Sequence, residues 1–302
     1  MTPHRFLAAL PLAAVLLGAA APVAAKPLWR AVNPIQKQRI VTLRGDLAEV
    51  RLEPTTRSIG EGEDKDEIAA LHIAVTLPGQ PVLELPPDEM RMDVHGLHVG
   101  IGKLSPRDAV PVVILEGYSG GMHCCATFQM VATVDGKARM LALPGIDGDL
   151  DDAFPKDIDG DGTADIVRAD DSFLYAFASY AASWAVPAVY NLRGGALVDV
   201  SAEPRFARLY GTFAAQTRRY CAKSDEAGNS GACASYAAAM ARQGKAEEGI
   251  AFAVAHVRQA DWLPEPCTVA LVDDACPEGK SRSFSGFEQA LRWFLKEHGY
   301  IA

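Results

Sequence analysis

The stretch 157–165, DIDGDGTAD, restricts this chain more than any other part of it. Asp157, Asp159 and Asp161 alternate, Gly162 follows, and Asp165 closes the set. Four carboxylates held this close repel one another unless a cation sits among them. Ca²⁺ takes about 6–8 oxygens at about 2.3–2.6 Å. A short loop can supply them when oxygens recur at every second residue and a glycine permits the sharp turn. The spacing therefore predicts a Ca²⁺ site made by Asp157, Asp159, Asp161, the carbonyl of Thr163, and Asp165. The competing reading is an Asp-rich turn with no ion.

An EF-hand loop would carry a bidentate Glu at its twelfth position, with a helix on either side. Here that position is Arg168, and Ile166 and Val167 read as the start of a strand. The pattern D-hydrophobic-D-x-D-G-x-x-D followed by a strand resembles the Ca²⁺ loop of FG-GAP/VCBS repeats. The resemblance spans roughly residues 100–200. It implies one or two units like the blades of integrin-type β-propellers, too few to close a propeller of about 4–8 blades. A degenerate upstream copy agrees with this. LSPRDAVPVVIL at 104–115 occupies the place of IDGDGTADIVRA at 158–169, and VATVDGKARML at 131–141 mirrors the hairpin around Gly194. The copy has Lys103, Ser105, Arg107 and Pro111 at the ligand positions and so holds no ion.

The N-terminus reads as a secretory signal over residues 1–25. His4 and Arg5 precede an apolar run from Phe6 to Ala20, with Val23 and Ala25 at the small-residue cleavage positions. No cysteine stands near that point, so no lipid anchor is expected, and no later stretch is apolar enough for a membrane helix. The chain is thus expected to be periplasmic or secreted, with no integral membrane segment after cleavage. Its formal charge of −9 argues against nucleic acid as a partner. Six cysteines in an oxidising compartment favour disulfides. Local pairing of Cys221 with Cys233 and of Cys267 with Cys276 costs least. A bridge between the neighbours Cys124 and Cys125 would be strained.

Along the chain, residues 26–200 read as β-rich and 201–302 as helical, an α+β layout. Arg39–Leu43 and Ala48–Leu52 are short alternating runs, and Ala70–Leu77 and Val82–Leu85 flank a Pro-Gly-Gln-Pro turn. The acidic run at 61–67 reads as a solvated loop. Phe173, Tyr175 and Phe177, at period two, read as one face of a sheet. After Ser201, a good N-cap, Phe206, Leu209, Phe213, Thr217 and Tyr220 follow helical spacing. Two helices are expected over 233–258, broken near Gly244. A last helix is expected from Ser285, where Ser285 and Glu288 fit a capping box. Tyr236 and Met240 are expected to pack between helices.

The stretch LEGYSGGMHCCA at 115–126 contains G-x-S-x-G around Ser119. A nucleophile elbow needs a strand, this turn, and then a helix. Here Ala126, Phe128, Met130, Ala132 and Val134 alternate with mostly polar residues, a strand pattern. Neither His256 nor His298 as base, nor Asp199 or Asp261 as its orienter, is placed near Ser119 by the sequence. Metal binding by His123, Cys124 and Cys125 is disfavoured, since neighbours on a strand face opposite ways. The favoured reading is an exported, non-enzymatic Ca²⁺-binding protein whose ion-stapled β-structure supports binding of an unknown protein or cell-envelope ligand. The alternative is a secreted serine hydrolase using Ser119.

Overall fold

The computed structural model describes residues 26–59, 66–85, 97–118, 124–223, 229–258, 262–272 and 275–302. The expected signal segment at 1–25 lies outside the described residues. Among the described residues, twelve strands form three sheets, and every pairing between them is antiparallel. The strands are β1 (Leu28–Val32), β2 (Val41–Gly45), β3 (Ala48–Ile59), β4 (Asp66–Thr76), β5 (Leu83–Leu85), β6 (Leu97–Gly102), β7 (Val112–Tyr118), β8 (Cys124–Val134), β9 (Lys137–Asp147), β10 (Ile166–Asp170), β11 (Val186–Arg193) and β12 (Ala196–Asp199). A five-stranded sheet runs β1-β6-β7-β8-β9, a four-stranded one β2-β3-β4-β5, and a three-stranded one β10-β11-β12. Helices are α1 (Pro34–Lys37), α2 (Ala207–Lys223), α3 (Asn229–Ala241), α4 (Ala246–His256) and α5 (Phe287–Glu297).

The five-stranded sheet is covered on both faces. Val113 and Leu115 of β7 point into a core with Val50, Leu52, Ile73 and Val75 of the four-stranded sheet. Val112 and Ile114 point the other way, into a core with Ile166, Tyr190 and Leu192. That is why β7 opens with an unbroken apolar run rather than an alternating one. The far side of the three-stranded sheet faces the helices, where Phe173, Phe177, Val189 and Val200 pack with Phe206, Tyr210, Phe294 and Leu295. The layers are therefore sheet, sheet, sheet and helices.

This stacking corrects the expectation of propeller-blade units. The two suspected copies stand as two antiparallel meanders, β7-β8-β9 and β10-β11-β12, packed face to face. The sheets hold five, four and three strands, not a repeat of the four-stranded blades from which a propeller is built. The hairpin joining β4 to β5 is as expected, with Ile73 opposite Leu85. The acidic run is in part strand: Glu67 and Asp66 pair with Ser58 and Ile59, and the rest of it is outside the described residues.

The helical part agrees in outline and differs at the caps. The break at Gly244 is present, with φ +73°. The expected face of α5, Phe287, Ala290, Leu291, Phe294 and Leu295, is buried. Ser201, however, is not a cap. Its Oγ accepts from Val189 N at 2.8 Å, and a 3₁₀ turn at Pro204–Phe206 leads into α2 instead. The capping box is not formed either. Ser285 donates through N and Oγ to Gln289, while Glu288 pairs with Arg292 at 2.9 Å. Phe173, Tyr175 and Phe177 are not a sheet face. Phe173 and Phe177 stack edge-on against Phe294, while Tyr175, at φ +60°, turns outward. Tyr236 and Met240 pack with Ala214 and Ala239, as expected of helix–helix contacts.

Cys221–Cys233 ties α2 to α3, and Cys267–Cys276 closes a short loop before α5. Both local pairings are those expected. Cys125 is also disulfide-bonded. Gly249 of α4 lets α3 come close, since a Cβ there would lie 2.6 Å from Met240 Cβ.

One buried ion cluster joins the central sheet to the three-stranded one. Glu116 of β7 is fully buried and Arg168 of β10 nearly so, with Nη1 3.4 Å from Glu116 Oε1. Asp151 N donates to Glu116 Oε2 at 2.8 Å, and the Asp151 carboxylate lies 3.8 Å from Arg168 Nη1. Arg168 also donates to Ala126 O and stands over the Phe128 ring.

Desolvation, then the charge of Asp151, pushes the Glu116 carboxyl up to about 8, against the pull of Arg168. Between an ordinary value near 4.5 and about 8, the folded chain holds a proton that the unfolded chain has released. Stability is therefore full below that window and falls as pH rises through it, by at most about 1.4 kcal/mol per pH unit. Glu116→Gln removes this dependence. Urea titrations from pH 5 to pH 8.5 should show a declining midpoint in the wild type and a flatter profile in the variant.

Candidate metal centre

The loop 157–165 leaves and re-enters the fold at one point. Lys156 and Asp165 form an isolated antiparallel bridge, with Asp165 N donating to Lys156 O at 2.9 Å. Inside the loop, the short acidic side chains bend the backbone back on itself. Asp157 accepts from Gly160 N at 2.6 Å and Gly162 N at 2.8 Å. Asp159 accepts from Asp161 N, and Asp161 from Thr163 N. Gly160 and Gly162 have φ of +87° and +86°, a region in which side-chain-bearing residues are strained. The loop spacing marks Gly162 as the turn residue, whereas Gly160 carries no such mark and turns the backbone as well.

Of the expected ligands, Asp157, Asp159 and Asp165 come together. One carboxylate oxygen from each lies within 4.8 Å of the others. Two ligands on opposite sides of a Ca²⁺ stand at most about 4.6–5.2 Å apart, so the spread suits one such ion. Asp161 is not in this group. Its carboxylate is bound by Arg205 and lies toward solvent. Thr163 donates its N–H to Asp161, and Ala164 after it ties the loop to Leu104 O at 2.6 Å. The segment at Leu104 thus braces the loop, and Arg107 Nη2 also donates to Asp161 O at 3.4 Å.

The donor set fits a divalent cation in its chemistry. Asp159 Oδ2 is buried and receives no aligned hydrogen bond; its charge is met by Arg205 Nη1 at 2.6 Å. Asp165 is 1 % exposed and is held by Asn191 Nδ2 at 2.8 Å and Ile158 N at 3.0 Å. Backbone N–H groups of Gly162 and Gly160 hold the Asp157 carboxyl below its usual range. Burial pushes the Asp165 carboxyl up, against the pull of Asn191.

Arg205, Asn191 and Glu203 carry no sequence signal for this site. Arg205 sits on the 3₁₀ turn before α2 and bridges Asp159 and Asp161, while its Nε contacts Glu203 at 2.7 Å and its Nη2 donates to Asn191 Oδ1. It is an internal cation on the acidic loop. The other acidic residues nearby serve the fold: Asp147 accepts from Tyr180 OH, and Asp171 from Asp147 N.

Ser119, the hydrolase candidate, and His123 lie outside the described residues. The segment after them is β8, antiparallel to β7, with Tyr118 opposite Ala126. A strand therefore stands where an elbow needs a helix. His256 is engaged elsewhere, with Nδ1 2.8 Å from Phe252 O and its ring stacked on Phe252.

Residues 209–299 match the family described as the sll0997 C-terminal domain. The chain is 30 % identical over 198 residues to a protein of Synechocystis sp. named "Probable thylakoid lumen protein sll0997", covering 63 % of this chain and 57 % of that one. It is 28 % identical over 202 residues to "Uncharacterized protein y4bJ" of Sinorhizobium fredii, covering 64 % of this chain and 30 % of that one. The chain thus spans little more than half of one relative and under a third of the other. No solved structure matches. The matched family and the stacked antiparallel sheets together overturn the FG-GAP/VCBS resemblance.

Asp165→Leu should cost about 1–3 kcal/mol per polar group it strands, because Ile158 N and Asn191 Nδ2 lose their acceptor. Asp157→Asn, at an exposed position, should cost much less. Chemical denaturation in chelator separates the two, since no ion contributes there.

Proposed function

We propose that this chain is an exported binding protein, not an enzyme, that takes one Ca²⁺ in the loop 157–165. The observation that carries this reading is the convergence of Asp157, Asp159 and Asp165 carboxylate oxygens within 4.8 Å. The buried Asp159 Oδ2, without an aligned donor, supports it. In this reading the ion takes over from Arg205 at Asp159, and Asp161 and the Thr163 carbonyl complete the shell. The protein's part is to hold the loop closed at Lys156 and Asp165, to keep Asp165 oriented through Asn191, and to limit water on the inner side.

An oxidising location is supported by the two described disulfides and by the lumenal name of the Synechocystis relative. Among the described residues, no helix is long and apolar enough to cross a membrane. The ion staples the loop beside the turn that starts α2, and so stiffens the join between sheets and helices. A partner protein or cell-envelope ligand would meet that stiffened surface.

An ion that binds only the folded state raises the melting temperature by mass action. Chelator-treated protein titrated with micromolar to millimolar Ca²⁺ should melt progressively higher, and Mg²⁺ should do much less, since it prefers a tighter octahedral shell. Asp159→Asn should abolish the response. Arg205→Gln should lower stability in chelator yet enlarge the Ca²⁺ response, because a competing cation is gone. Flat melting curves at all Ca²⁺ concentrations would refute the reading.

Ser119→Ala should leave stability and any binding activity within error, because in the non-enzymatic reading its hydroxyl has no chemical role and such substitutions cost little. An active-site serine probe that labels wild type and not Ser119→Ala would instead establish the hydrolase.

A further inference from the structure

Cys125 is disulfide-bonded, and among the described residues no cysteine is free. The chain has six cysteines. Four of them are taken up by Cys221–Cys233 and Cys267–Cys276. The one cysteine of the chain that is left for Cys125 is its neighbour, Cys124.

A bridge between neighbours differs in kind from the other two. Cys221–Cys233 and Cys267–Cys276 span Cα–Cα distances of 4.7 and 5.5 Å, inside the usual range of about 4.4–6.8 Å. Adjacent Cα atoms are about 3.8 Å apart, below that range. In the chain-entropy account a disulfide stabilises by closing a loop in the unfolded chain, and more so for a longer loop. The other two bridge sequence separations of 12 and 9 residues, whereas a bridge between neighbours closes no loop. It therefore adds little as a staple, and its constrained backbone makes it easier to reduce.

The surroundings fit a site that opens and closes. Cys124 and Cys125 begin β8. The pairing of β8 with β9 is regular from Phe128 to Val134 and irregular before it. Cys124 stands opposite Asp147, Ala126 opposite Ile146, and Phe128 opposite Leu143. Gly145 lies in the irregular part of β9, and a Cβ on it would come 3.0 Å from Cys125 Cβ. Cys125 is half-buried and so keeps contact with solvent, whereas Cys221 and Cys233 are fully buried. Ala126, the next residue, is buried, and its carbonyl accepts from Arg168 Nη2 at 3.0 Å. The strand is thus fixed one residue beyond the pair, and a change at the pair stays local. The simplest alternative is a permanent brace for the irregular strand end.

We infer that Cys124 and Cys125 are bonded to each other and form a reversible redox site that takes two electrons from a dithiol. One thiolate of the dithiol attacks a sulfur of the pair. The S–S bond breaks, and the other cysteine leaves as a thiolate that takes a proton from solvent. The second thiol of the reductant then loses its proton, attacks the mixed disulfide, closes its own disulfide and releases the first cysteine, which is protonated in turn. One dithiol is oxidised and one disulfide is reduced. The site is independent of the ion loop and is tested in chelator.

The probe is dithiothreitol. Mass mapping without reduction should find one peptide holding both cysteines, lighter by two hydrogens than its thiol form and joined to no other. Buffers of reduced and oxidised dithiothreitol, quenched by alkylation, should open this pair at a ratio at least tenfold lower than Cys267–Cys276 needs. That bridge is also half-buried at both cysteines and so controls for access. At the ratio that opens the pair, the melting temperature should stay within about 3 °C of the oxidised protein, since no loop is released. Oxidised dithiothreitol should then close the pair again. Replacing both residues by serine should remove this step and leave the other two bridges unchanged; should that variant not fold, the wild-type titration decides alone. The inference is overturned if Cys124 is found as a free thiol or bonded to any cysteine but Cys125. It is overturned equally if the pair opens no more readily than Cys267–Cys276, or if opening it unfolds the protein as the loss of a permanent brace would.

Discussion

Glu116 is the point from which the rest of the architecture is hung. It lies at the centre of the five-stranded sheet, on the face turned toward the three-stranded one, where a carboxyl group is costly unless it is fully engaged. Its two oxygens are met from the two ends of a single segment, Asp151 N at one and Arg168 Nη1 at the other. The chain between them, which includes the acidic loop, is therefore an excursion closed on one buried group. His98 Nδ1, 2.7 Å from Asp151 O, steadies the same corner from β6.

From that anchor, order passes outward in two steps. Asn191 of β11 holds Asp165, so the inner carboxylate of the loop is oriented by the sheet rather than by the loop itself. Arg205 then reaches from the turn before α2 to the outer carboxylates, while Arg193 and Arg205 share Glu203. The acidic loop is thus the joint where the sheets meet the helices. A charge change on it is felt at the start of α2. A cleft between β9, β10, β11 and the helical part lies across the same join, bounded by Arg168, so the central ion cluster also sets one of its walls.

Much of the local structure was legible because it depends on neighbours in the chain. The alternation in β8, the apolar run of β7, the break at Gly244 and the buried face of α5 follow from period and turn chemistry. The capping reading at Ser285 failed because Gln289, not Glu288, reaches back to it, a choice between two residues that sequence rules treat as nearly equal. The reading of Phe173, Tyr175 and Phe177 failed because period two also arises when a turn drops alternate rings into a helical core. The propeller resemblance failed for a broader reason. A nine-residue loop and the strand after it specify a local conformation, and the same meander can be stacked in layers as readily as set around an axis.

By itself the sequence determined the acidic spacing, the glycine turn at Gly162 and the α+β order, and it favoured the local disulfides, because these depend on residues about a dozen positions apart or fewer. Tertiary structure alone decided that Asp161 turns away from the other loop carboxylates to Arg205, and that Arg168 and Arg242 line one cleft. Asp161 and Arg205 are 44 positions apart, and Arg168 and Arg242 are 74 apart. Nothing in local propensity distinguishes them from other arginines and aspartates. They are selected by which faces the sheets and helices bury, and by the cost of leaving a buried charge without a partner.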